Sequence, residues 1–333
     1  MLRVKKERRR KLVTHWLRRE PTSELKQRVG FLETEARRRE VEPDYKIVAR
    51  LLLLLLLTPF KVIYHLLMAL LNLLFARASH KRGLVSQNIA MVARDLHAPL
   101  GTCFQWFIQA RFAIFLLVAN TMAFLLSLFL DPGLLDRLML HSLYFKALDF
   151  KWIAISSFSS MFLHANIYHL AANLAGIYIF SRVVERELGH FRAALIYFGA
   201  GVFSAVFSNT IYALFASKDI VSLGASGAIM GLVAAAILLR PLTLVLGLIP
   251  VAVLGLLQIY TDISGIIRPS PADNVGRLAH LGGYLAISFM LFLFTAGEKQ
   301  RMKKGLMINI GIVVLYLLLV YLGGLRYISF SLY

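Results

Sequence analysis

Long apolar runs are the feature that most restricts what this chain can fold into. Of its 333 residues, 58% are hydrophobic, whereas soluble domains contain about 45–50%. Several runs approach or exceed the roughly 17–25 residues that an α-helix needs to cross a bilayer. None shows the blocks of alternating residues that are typical of membrane β-strands. The sequence therefore predicts an all-α, polytopic membrane helical bundle.

Seven apolar segments define the predicted helices of this bundle. In chain order they are 112–130, 167–180, 193–215, 225–239, 242–260, 275–294 and 306–322. The first six are expected to form a core, and the seventh follows a short linker in a C-terminal region, 296–333. The stretch of about 30 residues between the first two helices mixes apolar, aromatic and polar residues, a composition that indicates a half-buried interfacial loop.

The chain before these helices divides into two parts. Residues 1–50 carry 16 Lys and Arg against 8 Asp and Glu, which predicts a basic cytoplasmic segment, partly helical over 23–39. Residues 51–111 comprise an apolar segment, 51–75, and a basic linker. The apolar segment either spans once as a helix kinked at Pro59 or forms two half-length pieces at the membrane surface. Positive charge on both sides favours the non-spanning alternative.

The net charge of +19 is interpreted as membrane-anchoring charge that also attracts anionic lipids. Membrane lipids are thus expected partners, whereas nucleic acid is not, because no nucleic-acid-binding signature is present. Cys103 is the only cysteine, which excludes an intramolecular disulfide. The N-terminus lacks the pattern of a cleaved signal peptide. No cofactor is expected.

Orientation follows from counting helices. The loops on the two sides carry nearly equal positive charge, so the basic segment before the first helix is used to place its start on the cytoplasmic side. The second, fourth and sixth helices then run from the outer to the inner face, and each carries a polar motif near its start. All three motifs are therefore predicted at one depth near the outer face. If 51–75 spans, this orientation inverts.

The first motif is Gly-Ala-Ser-Gly at 224–227, where the fourth helix begins. Ser226 is a candidate nucleophile, because the free N–H groups and the positive dipole end of a helix start favour an anion formed there. Gly224 and Gly227 allow a tight turn and a close approach of neighbours. The competing interpretation is helix packing through Gly227 and Gly231.

The second motif places His280 one turn inside the sixth helix. Gly276 and Gly283 lie on roughly the same face, so another backbone can approach the imidazole, as a general base beside a serine requires. A packed histidine bonded to a carbonyl is the alternative. Asp262 is assigned to the loop before this helix and is not near His280 in sequence. A two-residue dyad is therefore the simpler interpretation.

The third motif covers residues 164–173. His169 and Asn173 are four apart and present paired donors on one helical face. His164 lies about 140° away on an ideal helix, so the two histidines are expected to diverge and His164 to be structural. No metal site is expected, because such a site needs ligands that converge on one point.

In order and helix position, these three motifs resemble those of the rhomboid family of intramembrane serine proteases. The resemblance covers residues 112–295, with a seventh helix beyond the core. It implies Ser226 as nucleophile and His280 as general base and then acid, with an oxyanion site from His169, Asn173 and the Ser226 N–H. It also implies structural support by His164, Gly224, Gly227 and Gly283, and single-pass or other transmembrane proteins as substrates. The chain departs from the family at Ile155-Ser156, Met230 and Ile287.

Two other functions are weighed against a protease. A catalytically silent rhomboid-like protein that binds membrane helices would lack the serine or the histidine, and both are present here. A transporter built from inverted repeats would show matching interrupted helices in two halves. The chain instead carries one set of motifs on alternate helices, which favours the endopeptidase.

Overall fold

A computed structural model describes residues 44–245, 248–268 and 275–330. The basic segment 1–43, with its expected helix over 23–39, lies outside the described residues. The helices are α1 Asp44–Phe75, α2 Ala78–Ile108, α3 Arg111–Ser127, α4 Pro132–Leu138, α5 Ser142–Lys146, α6 Phe150–Ser159, α7 Ile167–Leu188, α8 His190–Phe215, α9 Ser226–Leu239, α10 Val251–Ile267, α11 Arg277–Phe289 and α12 Ala296–Phe330. The described parts also contain two short antiparallel two-stranded sheets, β1 Leu140–His141 with β2 Val221–Ser222, and β3 Leu244–Val245 with β4 Ile249–Pro250.

The predicted all-α membrane bundle is confirmed. Four helical segments have the length and composition of a membrane span among the described residues, namely Lys46–Phe75, Ile167–Leu188, His190–Phe215 and Ala296–Tyr321. A fifth candidate is α2 together with α3, which are bent by 87° at the break between them. The protein is therefore an integral membrane protein. The six-plus-one arrangement and the orientation stay predictions.

Each of the seven predicted segments contains a helix, but several boundaries differ. The second helix continues to Leu188 and the seventh begins at Ala296, and the fifth is displaced. The fifth helix was expected over 242–260, whereas α10 begins at Val251 and continues to Ile267. Pro250 is the N-cap residue of α10, and a proline inside a helix would remove a backbone hydrogen bond and clash with the preceding turn. The residues before it instead form the β3–β4 hairpin.

The apolar segment 51–75 lies in one continuous helix, α1, which runs through Pro59. The expectation of two half-length pieces is therefore wrong. The hydroxyl of Thr58 donates a hydrogen bond to the Leu54 carbonyl at 2.7 Å, and α1 packs along α2. Isolated proline kinks are tolerated in membrane helices where such polar groups and neighbouring helices support the backbone.

The short helix α9 lies at the centre of the bundle. All of its residues except Ser226 and Leu238 are buried, and it contacts α7, α8, α10, α11 and α12. With 14 residues it is about 21 Å long, shorter than the roughly 30 Å hydrocarbon core of a bilayer. A helix of this length, surrounded by others, begins or ends inside the bundle rather than at its rim.

The loop between α3 and α7 is tied to the segment that leads into α9. It contains α4, α5, α6 and β1, and β1 pairs antiparallel with β2. Nearer the start of α9, the Gly224 N–H donates to the Ser160 carbonyl at 2.8 Å. The first loop therefore holds the chain just before Ser226.

Charged pairs connect the helices at the C-terminal end of α7. Glu185 accepts from the N–H groups of Phe112 and Ala113 at the start of α3, at 3.0 and 3.3 Å. Glu187 pairs with Arg240 after α9 at 2.7 Å, and with Arg301 of α12 at 3.1 Å. These contacts set the spacing of the bundle at the end of α7 that is farthest from His169.

Candidate active site

Ser226 is the first residue of α9 and is half-buried. The N-cap residue, Ala225, offers no side-chain hydrogen bond to the helix start. The first N–H groups of a helix have no partner within the helix, so they are available to an anion at this point. Gly224 has a φ of +119°, in the left-handed region that glycine adopts without strain. The turn into α9 therefore requires Gly224.

His169 and Asn173 of α7 lie against this turn. A Cβ placed on Gly224 would be 2.8 Å from Cε1 and Nε2 of His169, and 4.0 Å from Nδ2 of Asn173. Only a glycine at 224 leaves room for the imidazole. The close approach puts two side-chain donors beside the loop that carries Ser226.

The hydrogen bonds of His169 and Asn173 show which of their N–H groups can donate to a ligand. The Ala165 N–H donates to Nδ1 of His169 at 3.4 Å, so a neutral imidazole carries its proton on Nε2, the nitrogen that faces Gly224. Asn166 caps α7 by accepting from the His169 N–H at 2.9 Å. The Asn173 amide donates to the His169 carbonyl at 2.8 Å, which leaves its second N–H.

The helix that carries His280, α11, lies directly against the first turn of α9. A Cβ on Gly283 would collide with the Gly227 carbonyl oxygen and lie 2.8 Å from Cβ of Met230. On the other side, Ser204 of α8 donates to the Ala279 carbonyl at 2.6 Å. His280 is buried at this junction. The small residues of the two motifs thus allow the backbones to touch.

Among the described residues, neither Oγ of Ser226 nor Nε2 of His280 has a hydrogen-bond partner, and the imidazole is bonded through Nδ1. Catalytic hydrogen bonds in free enzymes are often long and tighten only when substrate binds. The arrangement offers a hydroxyl, an open imidazole nitrogen and donors around one turn of helix.

Asp262 is the polar residue that sequence analysis misplaced. It lies within α10, not in the loop before α11, and is buried. Its Oδ1 accepts from Nδ1 of His280 at 2.8 Å, and its Oδ2 accepts from the Tyr284 hydroxyl at 2.7 Å. The sequence did contain a sign that Asp262 lies on a helix. Apolar residues resume after it, and Gln258 lies one helical turn before it on the same face.

His164 precedes α7 rather than lying on it, which overturns the expected divergence of the two histidines. Its ring meets that of His169 edge to face, with centroids 5.2 Å apart. Nδ1 donates to the Phe162 carbonyl at 3.2 Å. Burial, together with the neighbouring His169, lowers the pKa of His164 to about 4, so its ring is neutral at ordinary pH. No group of three or more metal-ligating side chains occurs in the part of the chain described.

A second histidine–aspartate pair lies in the loops. Nδ1 of His141 contacts Oδ2 of Asp219 at 2.6 Å, and Nε2 contacts the Asp136 carbonyl oxygen at 2.9 Å. Burial alone would lower the pKa of His141, but these two hydrogen bonds outweigh it and raise the pKa above its usual 6.5. Burial would raise the pKa of Asp219, yet His141 and the donors from Leu143 and Ser142 lower it.

The chain is similar to known proteins, and the matching family model covers the region of Ser226 and His280. Residues 151–297 match the family model described as Rhomboid domain. Rhomboid-like protein 11, chloroplastic, of Arabidopsis thaliana is 33% identical over 160 residues, which is 44% of this chain and 56% of that protein.

Two further relatives share shorter segments. RHOMBOID-like protein 6, mitochondrial, of Arabidopsis thaliana is 41% identical over 85 residues, covering 26% of this chain and 25% of the relative. Putative rhomboid protease YdcA of Bacillus subtilis (strain 168) is 40% identical over 70 residues, covering 21% and 33%. The chain thus spans about half of the first relative and a third or less of these two.

Proposed function

We propose that the protein is an intramembrane serine endopeptidase that cleaves transmembrane protein substrates with Ser226 and His280. Its residues 151–297 match the family model described as Rhomboid domain. The observation that carries the proposal is the convergence of three motifs on the first turn of α9. His169 and Asn173 lie against Gly224, and α11 lies against Gly227. Polar groups brought together inside an apolar bundle are costly without a function.

The proposed reaction uses only groups of this chain. The Ser226 hydroxyl oxygen attacks the scissile carbonyl carbon, its proton passes to Nε2 of His280, and the carbonyl π electrons move onto oxygen. The resulting oxyanion accepts hydrogen bonds from His169 Nε2–H, Asn173 Nδ2–H and the Ser226 N–H.

The intermediate then collapses. The C–N bond breaks, and His280 returns the proton to the departing amine nitrogen, which leaves an acyl ester on Ser226. Water attacks this ester by the same steps in the second half and releases the carboxylate product. In this proposal His280 serves as base and then acid in each half.

The proposed setting follows from the predicted orientation. In this proposal α1 does not cross the membrane, although it has the length and composition to do so. The N-terminus is then cytoplasmic and the first turn of α9 lies toward the outer face, so a substrate helix is cut near its outer end. Cysteine accessibility at a position introduced beside Lys81 tests this orientation. Labelling from the outside would show that α1 spans and that the site faces the other side.

The experiment that tests the activity combines cleavage with active-site labelling. The full chain is reconstituted in liposomes with a single-pass substrate, and a fluorophosphonate probe is applied in parallel. The intact chain is expected to cleave and to be labelled, and Ser226→Ala to do neither. Ser127→Ala is the matched control, because that hydroxyl bonds only the Phe124 carbonyl within α3. Absence of cleavage and labelling in the intact chain would favour the silent, helix-binding alternative.

A further inference from the structure

We propose that Asp262 is a positioning residue that fixes the tautomer and ring orientation of His280, and so supports the proposed reaction of Ser226 and His280. The inference rests on the proposed function, since it concerns how His280 would act as a base. Asp262 would not touch the substrate or the reacting atoms. It would act entirely through Nδ1 of the imidazole.

The geometry of the pair supports this assignment. Oδ1 of Asp262 lies 2.8 Å from Nδ1 of His280, and both side chains are buried, with 3% and 7% of their surfaces exposed. A hydrogen bond to a charged group is about twice as strong as a neutral one, and burial strengthens it further. Because a carboxylate can only accept, the imidazole proton must sit on Nδ1. The lone pair of Nε2 is then free to take the Ser226 proton.

The surroundings of Asp262 are suited to a carboxylate. Its oxygens accept from Tyr284 at 2.7 Å and from the Gln258 amide at 3.3 and 3.4 Å, and the Arg277 guanidinium lies 3.5 Å away. Every described partner is a donor, and donors favour the ionised form. A fixed negative charge is therefore held beside the imidazole.

This charge has a role at the moment of proton transfer. When His280 takes the Ser226 proton it becomes an imidazolium, and Asp262 attracts that new charge across the Nδ1–Oδ1 bond. The proton on Nδ1 stays there, because the aspartate orients and stabilises the ring without accepting its proton. The interaction is strongest in the transition state, so it is expected to change kcat and to leave substrate binding nearly unchanged.

A merely structural role is the competing explanation. Asp262 also connects α10 to α11 through Tyr284 and Arg277, and a helix connector would matter for folding whether or not His280 reacts. Loss of a connector lowers stability and disturbs substrate binding. Loss of a positioning group slows the chemistry while fold and KM are kept. The two roles thus predict different measurements.

The test is Asp262→Asn in the reconstituted full chain. Asparagine keeps the size but can donate to Nδ1, which puts the imidazole proton on the wrong nitrogen. We expect kcat and the fluorophosphonate labelling rate to fall roughly 10²–10⁴-fold, with KM and the thermal unfolding temperature close to those of the intact chain. Thr261→Ala is the matched control on the same helix, because its hydroxyl donates to the Gln258 carbonyl at 2.8 Å and not to Asp262. It should keep kcat within about tenfold.

An intact chain that cleaves normally, together with an unchanged kcat in Asp262→Asn, would overturn this inference and leave the proposed function standing. So would a loss of rate explained by unfolding or by a raised KM. An unlabelled, inactive intact chain would overturn both.

Discussion

Two of the histidine–aspartate pairs among the described residues are of nearly equal length but lie in very different settings. His280 and Asp262 meet at 2.8 Å between two helices, and His141 and Asp219 meet at 2.6 Å between two loops. The decisive difference is the other ring nitrogen. Nε2 of His141 is bonded to the Asp136 carbonyl, whereas Nε2 of His280 has no hydrogen bond among the described residues.

This difference separates the chemical capacities of the two histidines. The His141–Asp219 pair, called the latch below, can only connect two loops, whereas His280 has a ring nitrogen that could accept a proton. In the loop pair both ring nitrogens face acceptors, so the ring must be doubly protonated to satisfy both. An imidazolium held in this way connects β1 to the segment before Ser226 but has no lone pair to offer. In the His280–Asp262 pair, Nδ1 is bonded to the carboxylate, and Nε2 has no hydrogen bond among the described residues. Under the proposed function the same two residue types therefore serve two purposes, decided by what surrounds the second nitrogen.

The largest effect should come from removing the two histidines in turn. His280→Ala is expected to abolish cleavage, a fall on the order of 10⁶ when the base of a serine hydrolase is lost. His141→Ala removes only loop ordering and should reduce kcat/KM by less than about tenfold. Steady-state cleavage of one substrate by both variants gives the comparison. Similar losses in the two would contradict the division into base and latch.

The next effect concerns the two side-chain donors beside Gly224. His169→Ala and Asn173→Ala should each lower kcat by roughly 10²–10³, the usual cost of one oxyanion donor, while KM stays nearly constant. Their side chains touch the turn at Gly224, which Asp219 and His141 help to hold. Single-turnover rates are the measurement. A change in KM alone would indicate that these residues bind substrate rather than the oxyanion.

A smaller effect is expected from the contact that brings His280 to α9. In Gly283→Ala the new methyl group would collide with the Gly227 carbonyl, and overpacking of this kind costs about 1–3 kcal/mol. Thermal unfolding in detergent measures the loss. Gly297→Ala is the matched control, since a Cβ there meets no atom within 4 Å, and it should be neutral. Equal stability of the two variants would exclude a tight α9–α11 contact.

The smallest effect is the pH dependence of the latch. The pKa of His141 is higher in the folded protein than its usual 6.5, so its stabilisation is complete below that value and is lost as the pH rises through the folded pKa. The pKa of Asp219 is lowered from 3.8, so its contribution is lost only when the pH falls below that range. The groups facing His141 are Asp219, Asp136, with a carboxylate oxygen at 3.5 Å, and the ring of Tyr144.

The measurement is the free energy of unfolding at about pH 6 and about pH 9. The intact chain should lose on the order of 1 kcal/mol or less between the two, and His141→Gln should lose less than the intact chain. His97→Gln, at an exposed histidine of α2, should behave as the intact chain does. A His141→Gln protein with the full pH dependence would show that another group is responsible.

The sequence predicted much of the fold and most of the site, for a local reason. Apolar runs of bilayer length and polar motifs at their starts are visible in the order of residues alone. They located Ser226 and His280 on two helices, and His169 and Asn173 on one face of a third. The prediction of a helix over 242–260 was wrong because the effect of Pro250 on the backbone outweighed the hydrophobicity of the residues around it. The predicted divergence of His164 from His169 was wrong because it placed both residues on one helix, whereas that helix begins only at Ile167.

What the sequence by itself determined is the membrane class, the helical segments and the residue types capable of a serine hydrolase reaction. Only the tertiary structure decided that His280 meets Asp262, and that His141, 78 positions from Asp219, meets that residue instead. Periodicity reports which face of one helix is apolar. It does not report where two helices cross or which loop reaches another. A hydrogen bond between distant residues depends on that crossing to within a few tenths of an ångström, so the partner of each histidine is fixed only when the bundle packs.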